Sequence, residues 1–216
     1  MMIRLALPQT GQNHFPLAHG LAWFLVAAHF DKNLMPSPAK TELRRRLRAE
    51  LAQMTPTASA AASESIRTSI PSLPRWQETR TLAAFSALPA EPDLRPFDWL
   101  PARQLLLPRL DGDHLIFHQV TAPDQLTPGP FGLLEPDPRK CPVADPASAD
   151  LIFIPGMAFT KVGHRLGRGR GYYDRLLAAL PATTLRIGVC FRCQLIDRIP
   201  SEPHDMSVDL VLSSPA

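Results

Sequence analysis

The sequence predicts an α/β fold: a single-domain sheet, mostly parallel, with helices on both faces in a Rossmann-like three-layer arrangement. Strand-like apolar runs alternate with helical stretches along most of the chain. One run, Leu151-Ile152-Phe153-Ile154, is apolar without interruption, as a strand buried on both faces must be. The 24 prolines, against average usage of about 5%, stand at the ends of these stretches and keep the helices short. With 45% hydrophobic and 20% charged residues, a chain of 216 has enough apolar material for one ordinary core.

The elements follow in order. Residues 1–34 share nothing with the rest, and their apolar run Leu21–Phe30 is too short to span a bilayer, which needs about 20 residues. We expect 1–34 to be an N-terminal extension outside the domain, the product of an early start assignment, and the domain to occupy 35–216. Ser37-Pro38 reads as an N-cap followed by Pro at the first helical position. From Lys40 to Met54, Leu43, Leu47, Leu51 and Met54 recur at helical spacing, with Pro56 as the stop. Lys40 falls within that stripe and Arg44 at its edge, whereas Arg45 and Arg46 point to solvent. A second helix is expected over Ala58–Ile70 and others over Asp93–Leu100 and Tyr172–Leu180. Strands are expected at Thr81–Phe85, Gln104–Leu107, Leu115–Val120, Leu151–Ile154, Leu185–Phe191 and Val208–Leu212, and a surface loop over 136–149.

Charge is modest overall but uneven. The net charge of +3 argues against a nucleic-acid binder working through overall charge. Segment 40–50 alone carries +3 and segment 161–175 carries +4. Such focusing is expected if both converge on one compact anionic ligand; solvated helix faces are the bland alternative. Three cysteines make no secreted disulfide framework, so a reduced cytoplasmic chain fits better. Cys190-Phe-Arg-Cys193 lacks the helix that a redox C-x-x-C opens, and no second ligand pair for zinc is present; these read as ordinary thiols.

The chemistry concentrates after the Leu151–Ile154 strand, in Gly163-His-Arg165-Leu-Gly167-Arg168-Gly169-Arg170-Gly171-Tyr172-Tyr173-Asp174-Arg175. Glycines at 163, 167, 169 and 171 let the backbone turn and approach a ligand closely, so that successive N–H groups form an anion nest. The helix opening at Tyr172 adds its positive end, and Arg165, Arg168 and Arg170 supply fork-shaped donors suited to phosphate oxygens. The spacing matches neither a Walker A loop nor a dinucleotide fingerprint. One of Tyr172 and Tyr173 is expected to pack inward and the other to stack on a flat ligand. Asp174 either complements the helix dipole or, beside phosphates, ligates magnesium.

The run Arg165-Leu-Gly-Arg-Gly-Arg-Gly-Tyr-Tyr-Asp174, preceded by Asp150-Leu-Ile-Phe-Ile-Pro-Gly156, resembles the signature of the 5-formyltetrahydrofolate cyclo-ligase (5,10-methenyltetrahydrofolate synthetase) family. Co-linear landmarks extend the resemblance over about 35–214: Lys40-x-x-x-Arg44, Leu88-Pro-Ala-Glu91-Pro-Asp93, Leu107-Pro108, Gly132-Leu-Leu-Glu135-Pro136, Gln194 and His204-Asp205-Met-Ser-Val-Asp209. The resemblance implies an ATP- and Mg2+-dependent enzyme that converts 5-formyltetrahydrofolate into 5,10-methenyltetrahydrofolate, ADP and phosphate. The route it implies phosphorylates the formyl oxygen and lets N10 attack the activated carbon.

By the same resemblance Lys40, Thr41, Glu42, Leu43 and Arg44, with Arg165, Leu166, Gly167, Arg168, Gly169, Arg170, Gly171, Tyr172 and Tyr173, would bind ATP. Glu91 and the stretch Arg168 to Tyr172 would bind the folate, Arg168 and Tyr172 being catalytic, and Asp174 and Asp205 would hold Mg2+. Glu91 would accept from the pterin edge. Each has an ordinary alternative: helix charges for Lys40 and Arg44, a solvated acid for Glu91, a turn cap for Asp205 and a local hydrogen-bonding role for His204. Glu135 shapes the pocket without an assigned role. The chain is expected to act as a cytoplasmic monomer, without nucleic acid or membrane. Competing readings are a non-catalytic nucleotide- or folate-binding regulator and an Arg/Gly RNA-binding segment, the latter marked by steep salt dependence. Arg168→Ala and Asp174→Ala are expected to remove most turnover and leave the domain folded, which activity and melting assays on each variant check.

Overall fold

Residues 37–97 and 102–215 are described by the computed structural model. The extension 1–34 and the start at Met35 therefore lie outside the described residues. The first helix, α1 (Pro38–Leu51), begins as its sequence dictates: the Ser37 hydroxyl accepts from the Lys40 N–H at 3.2 Å, and Pro38 occupies a position whose N–H would be unbonded anyway. It ends at Leu51, before the expected Pro56. Pro56 instead opens α2 (Pro56–Ser69) behind a Thr55 cap, a position that needs no donor. Among the described residues no helix is long and apolar enough to cross a membrane.

Among the described residues six strands form the main sheet: β1 (Thr81–Ala83), β2 (Gln104–Asp111), β3 (His114–Val120), β6 (Leu151–Pro155), β9 (Leu185–Cys190) and β10 (Leu210–Ser213). Two short hairpins, β4 (Leu126–Pro128) with β5 (Leu134–Pro136) and β7 (Ala158–Phe159) with β8 (Arg165–Leu166), stand apart from it. The order is β10-β9-β6-β1-β2-β3, and every neighbour pair is parallel except β2–β3. Side chains alternate faces with the period of two that strands impose. Leu82, Leu105, Leu107, Leu151, Phe153, Ile187 and Val189 pack under Ile66 and Ile70 at the end of α2. Ala83, Leu106, Ile152, Ile154 and Cys190 pack on the other face against Leu176, Leu177 and Leu180 of α3 (Tyr172–Ala179) and its C-cap. Helices thus cover both faces, as the uninterrupted apolar strand required. The sheet is mixed only at its β3 edge.

Element ends move for physical reasons. β2 runs past Leu107 through Pro108 to Asp111 because β1 pairs it only as far as Leu106; beyond that one side of the ladder is open and a proline is tolerated. β10 starts at Leu210 and not Val208, because the Val208 N–H goes to the Gly163 carbonyl at 2.9 Å. The helix expected over Asp93–Leu100 does not form at 93–96: the Asp93 carboxylate takes the Arg95 N–H and guanidinium, and its N–H goes to the Ser63 hydroxyl. Its last residues, 98–100, lie outside the described ones. Within the loop 136–149, Pro142 and Ala144 exchange backbone hydrogen bonds with β3, so this segment covers the sheet edge.

β1 is the point at which the chain order reverses. β2 and β3 lie on one side and β6, β9 and β10 on the other. A crevice opens at the carboxyl ends of β1 and β6, the position at which open parallel sheets bind ligands. Gly188 on β9 makes room for the buried Phe159 ring, which a Cβ there would meet at 2.4 Å. Gly188→Ala is therefore expected to destabilise the fold by about 1–3 kcal/mol through overpacking, read as a lower urea midpoint at unchanged slope.

Candidate active site

The crevice is a cavity of about 410 Å³, within the range that takes a small organic ligand. Phe85, Leu88, Leu110, Leu115 and Leu133 give it apolar walls, while Glu91, Arg165, Arg168, Tyr172 and Asp174 bring polar groups to it. The β7–β8 hairpin, the loop that follows and the first turn of α3 deliver all of these polar groups except Glu91. Gly169 and Gly171 have φ of +105° and +68°, backbone that only glycine adopts freely, and Gly171 hands the chain directly to α3. Gly167 works by smallness instead: a Cβ there would come within 3.1 Å of the Arg165 guanidinium.

The arginines of the motif differ sharply in environment. Arg165 is buried, donating from Nη2 to Asp174 Oδ1 at 2.7 Å and from Nη1 to the Pro155 carbonyl at 3.2 Å. Its guanidinium carbon lies 5.9 Å from the Tyr173 ring centroid. Arg168 donates from Nε to Glu91 Oε1 at 2.8 Å, joining residues 77 positions apart. Arg170 is exposed, and its carbonyl accepts from Arg175, which also reaches the Asp113 carbonyl at the β2–β3 tip. An arginine run engaged in this way is not an extended Arg/Gly segment.

Glu91 is almost fully buried, and burial raises its carboxyl above the usual glutamate range; the Arg168 charge and the Leu88 N–H pull it back only in part. Burial likewise pushes the Tyr173 phenol up, with the Glu91 charge adding to it. Tyr173 packs inward against both sheet clusters, and Tyr172 is the half-buried ring at the cavity. Tyr173 thus takes the inward place expected for one of the pair, although both residues line the cavity.

A second, charged cluster adjoins the glycine loop. Arg44 donates from Nε to the Gly167 carbonyl at 2.8 Å, so the two basic segments do meet. Burial lowers its guanidinium from the usual arginine value, and the charges of Glu202, Asp205 and Asp174 act in the opposite direction. Lys40 is 2% exposed and binds Asp205 and Glu202. The angular placement of these two groups toward the body is borne out. Convergence is narrower than the segment charges suggested, since Arg45 pairs with Glu42 and Arg46 with Glu50 on the solvent side.

Other expected residues fall elsewhere. Thr41 and Glu42 are exposed, with the Glu42 carboxylate tied to Arg45, so the structure does not bring them to Lys40 and Arg44. Leu43 packs against the cluster of Leu47, Met157 and Leu166. Asp174 and Asp205 belong to separate ion-pair groups, and among the described residues the group with ligating atoms within 4.8 Å of one another is Glu202, His204 and Asp205. Glu202 was missed from sequence; its one signal is its place three residues before Asp205. Glu135 is buried with Oε1 accepting from the Leu110 N–H at 3.2 Å, bracing the β4–β5 hairpin against β2. Cys190 is buried, its thiol pushed up to about 12 by desolvation, and Cys193 is exposed, so the two behave as ordinary thiols.

Comparison with known proteins gives the following. The family model described as the 5-formyltetrahydrofolate cyclo-ligase family matches residues 36–214. A 5-formyltetrahydrofolate cyclo-ligase of Mycolicibacterium smegmatis is 43% identical over 91 residues, 42% of this chain and 47% of that protein. One of Saccharomyces cerevisiae is 34% identical over 109 residues, covering 46% of this chain and 50% of the relative. The chain thus spans about half the length of these curated relatives. The solution structure of Aquifex aeolicus 5,10-methenyltetrahydrofolate synthetase superposes with a TM-score of 0.72 at 31% identity, over 81% of this chain and 89% of that one.

The buried Arg165–Asp174 pair changes one expectation drawn from sequence. Asp174→Ala leaves a guanidinium that is 3% exposed without its counter-charge, a loss of about 3–5 kcal/mol. Asp174→Asn keeps an acceptor for Arg165 and is expected to lose distinctly less. Urea unfolding of the two variants beside the parent checks the order.

Proposed function

The chain belongs to the 5-formyltetrahydrofolate cyclo-ligase family, and from that premise we propose that it converts 5-formyltetrahydrofolate into 5,10-methenyltetrahydrofolate at the expense of ATP. The observation that supports this best is the cavity of about 410 Å³ whose apolar walls end on Glu91, Arg168 and the glycine loop, beside the Lys40–Arg44 cluster. A flat, weakly charged ring system and a polyphosphate need adjoining sites of these two kinds. Cytoplasmic location and a monomeric state belong to the same reading.

The formyl oxygen is a poor leaving group. In the proposed route it attacks the terminal phosphorus of ATP, the bond to the ADP oxygen breaks, and the carbon still bonded to the phosphorylated oxygen becomes electrophilic. N10 then bonds to that carbon and releases its proton, and the carbon–oxygen bond breaks as inorganic phosphate leaves. Such steps depend on positioning and on neutralising charge more than on a protein nucleophile. Arg168, reaching the cavity from the loop, faces the formyl oxygen as it takes the phosphoryl group. Lys40 and Arg44 hold phosphate oxygens, and Tyr172 covers the flat substrate. The apolar walls keep water from the activated carbon.

Mg2+ is part of the proposal, and the donor set fits it. Asp205 belongs with Glu202 and His204 to a group whose ligating atoms lie within 4.8 Å of one another, and the charges of both Asp205 and Asp174 act on the Arg44 guanidinium beside the glycine loop. Both offer the hard oxygen ligands this ion prefers. Bound there, the ion would neutralise phosphate charge; Asp174 and Asp205 would hold it.

The near-ultraviolet absorbance of the methenyl product is expected only when 5-formyltetrahydrofolate, ATP and Mg2+ are supplied together, and folded protein that yields none rejects the proposal. Lys40→Met is expected to lower kcat/KM for ATP by about 100-fold, on the order of 3 kcal/mol, in the same assay.

A further inference from the structure

Lys40 and Asp205, assigned above to phosphate and to metal, are bonded to each other. Lys40 Nζ lies 2.7 Å from both carboxylate oxygens of Asp205 and 2.5 Å from Glu202 Oε2. An ammonium has three N–H donors, and three acceptors surround this one. No donor is left for a phosphate, and the side chain is 3% exposed. The ordered carboxylates outnumber the ammonium, so the group of Lys40, Glu202 and Asp205 carries a net negative charge toward an incoming polyphosphate. His204 Nε2, 3.4 Å from Glu202, and the Arg44 guanidinium are the other ionisable groups that act on it.

We propose that Glu202 is a competing partner for Lys40 that holds the ammonium away from the nucleotide until a divalent cation engages the carboxylates. The inference rests on the ATP and Mg2+ reading above and adds an order to it. A cation arriving on Asp205 removes acceptors from Lys40, which then turns to phosphate; nucleotide arriving alone has to break the Glu202 contact first. Metal and nucleotide therefore strengthen each other's binding, and Glu202 sets by how much. The Lys40 hydrogen bond also keeps the Glu202 carboxyl below the usual glutamate range. The Glu202 side chain is separable from the rest, because the bond that fixes Asp205 comes from the Glu202 backbone N–H, at 2.6 Å to Oδ2. A side-chain substitution leaves that bond in place.

The test is calorimetric titration of ATP into the full chain without folate, once with a chelator and once with saturating Mg2+. Mg2+ is expected to tighten ATP binding to the unaltered protein by at least about tenfold. Glu202→Gln is expected to bind metal-free ATP about tenfold more tightly than the parent, the scale of one hydrogen bond to a charged group, so that the gain from Mg2+ shrinks. Glu50→Gln removes an equal charge from the solvent face of α1, the helix that carries Lys40, and is expected to leave the affinity unchanged. Repeating the titrations at about 0.3 M salt screens the general field and preserves the contact effect. Metal-free affinity in Glu202→Gln equal to or weaker than the parent overturns the inference, as does an equal gain in Glu50→Gln. Failure of the parent to bind ATP in either condition overturns the nucleotide reading itself, and this inference with it.

Discussion

A guanidinium shielded from water has to be paired before a chain closes around it, and Arg165 is the residue on which the arrangement of the cavity depends. It leaves the β7–β8 hairpin, reaches back to the Pro155 carbonyl at the end of β6, and holds Asp174 in the first turn of α3. One side chain thereby ties the central strand, the hairpin and the helix that backs the second sheet face. The intervening glycines accommodate this, because Gly167 has no Cβ to press on the guanidinium and Gly169 and Gly171 turn the chain back toward the helix. Truncating the acid costs more than the pair is worth, since the remaining charge is stranded.

The same logic recurs around the site. Lys40 is matched by Asp205 and Glu202, Arg168 by Glu91, and Arg165 by Asp174. Three of the cations assigned to an anionic ligand are thus held by acids, while Arg44 is held by the Gly167 carbonyl. On the proposed reading, ligand binding is then an exchange of partners and not the filling of an open field. Such exchange costs little net desolvation, because each charge trades one partner for another of the same sign.

Local rules made the elements legible. Ser37-Pro38 begins a helix because a hydroxyl caps and a proline needs no donor, and Leu151–Ile154 is a central strand because no polar residue interrupts it. The angular placement of Lys40 and Arg44 followed from 3.6 residues per turn. What the sequence withheld was partnership across the chain. Nothing local joins Glu91 to Arg168 or Lys40 to residues 202 and 205, and nothing local distinguishes the buried Arg165 from the exposed Arg170 two turns of loop later. No helix forms at 93–96 for a related reason: the Asp93 carboxylate takes Arg95, and the Asp93 N–H goes to the distant Ser63 hydroxyl.

The strip from Cys141 to Ala144 carries a further consequence. It hydrogen-bonds to β3 through Pro142 and Ala144, and His118 Nδ1 contacts the Cys141 carbonyl at 2.9 Å. An outermost strand with unclaimed N–H and C=O groups is a template on which other chains assemble. Here one of the two margins of the sheet is occupied by the protein's own irregular backbone, laid down with a proline that cannot pass the pairing on. The antiparallel end of the sheet is thus covered at Phe117–Gln119 by irregular backbone that presents no further strand to pair with.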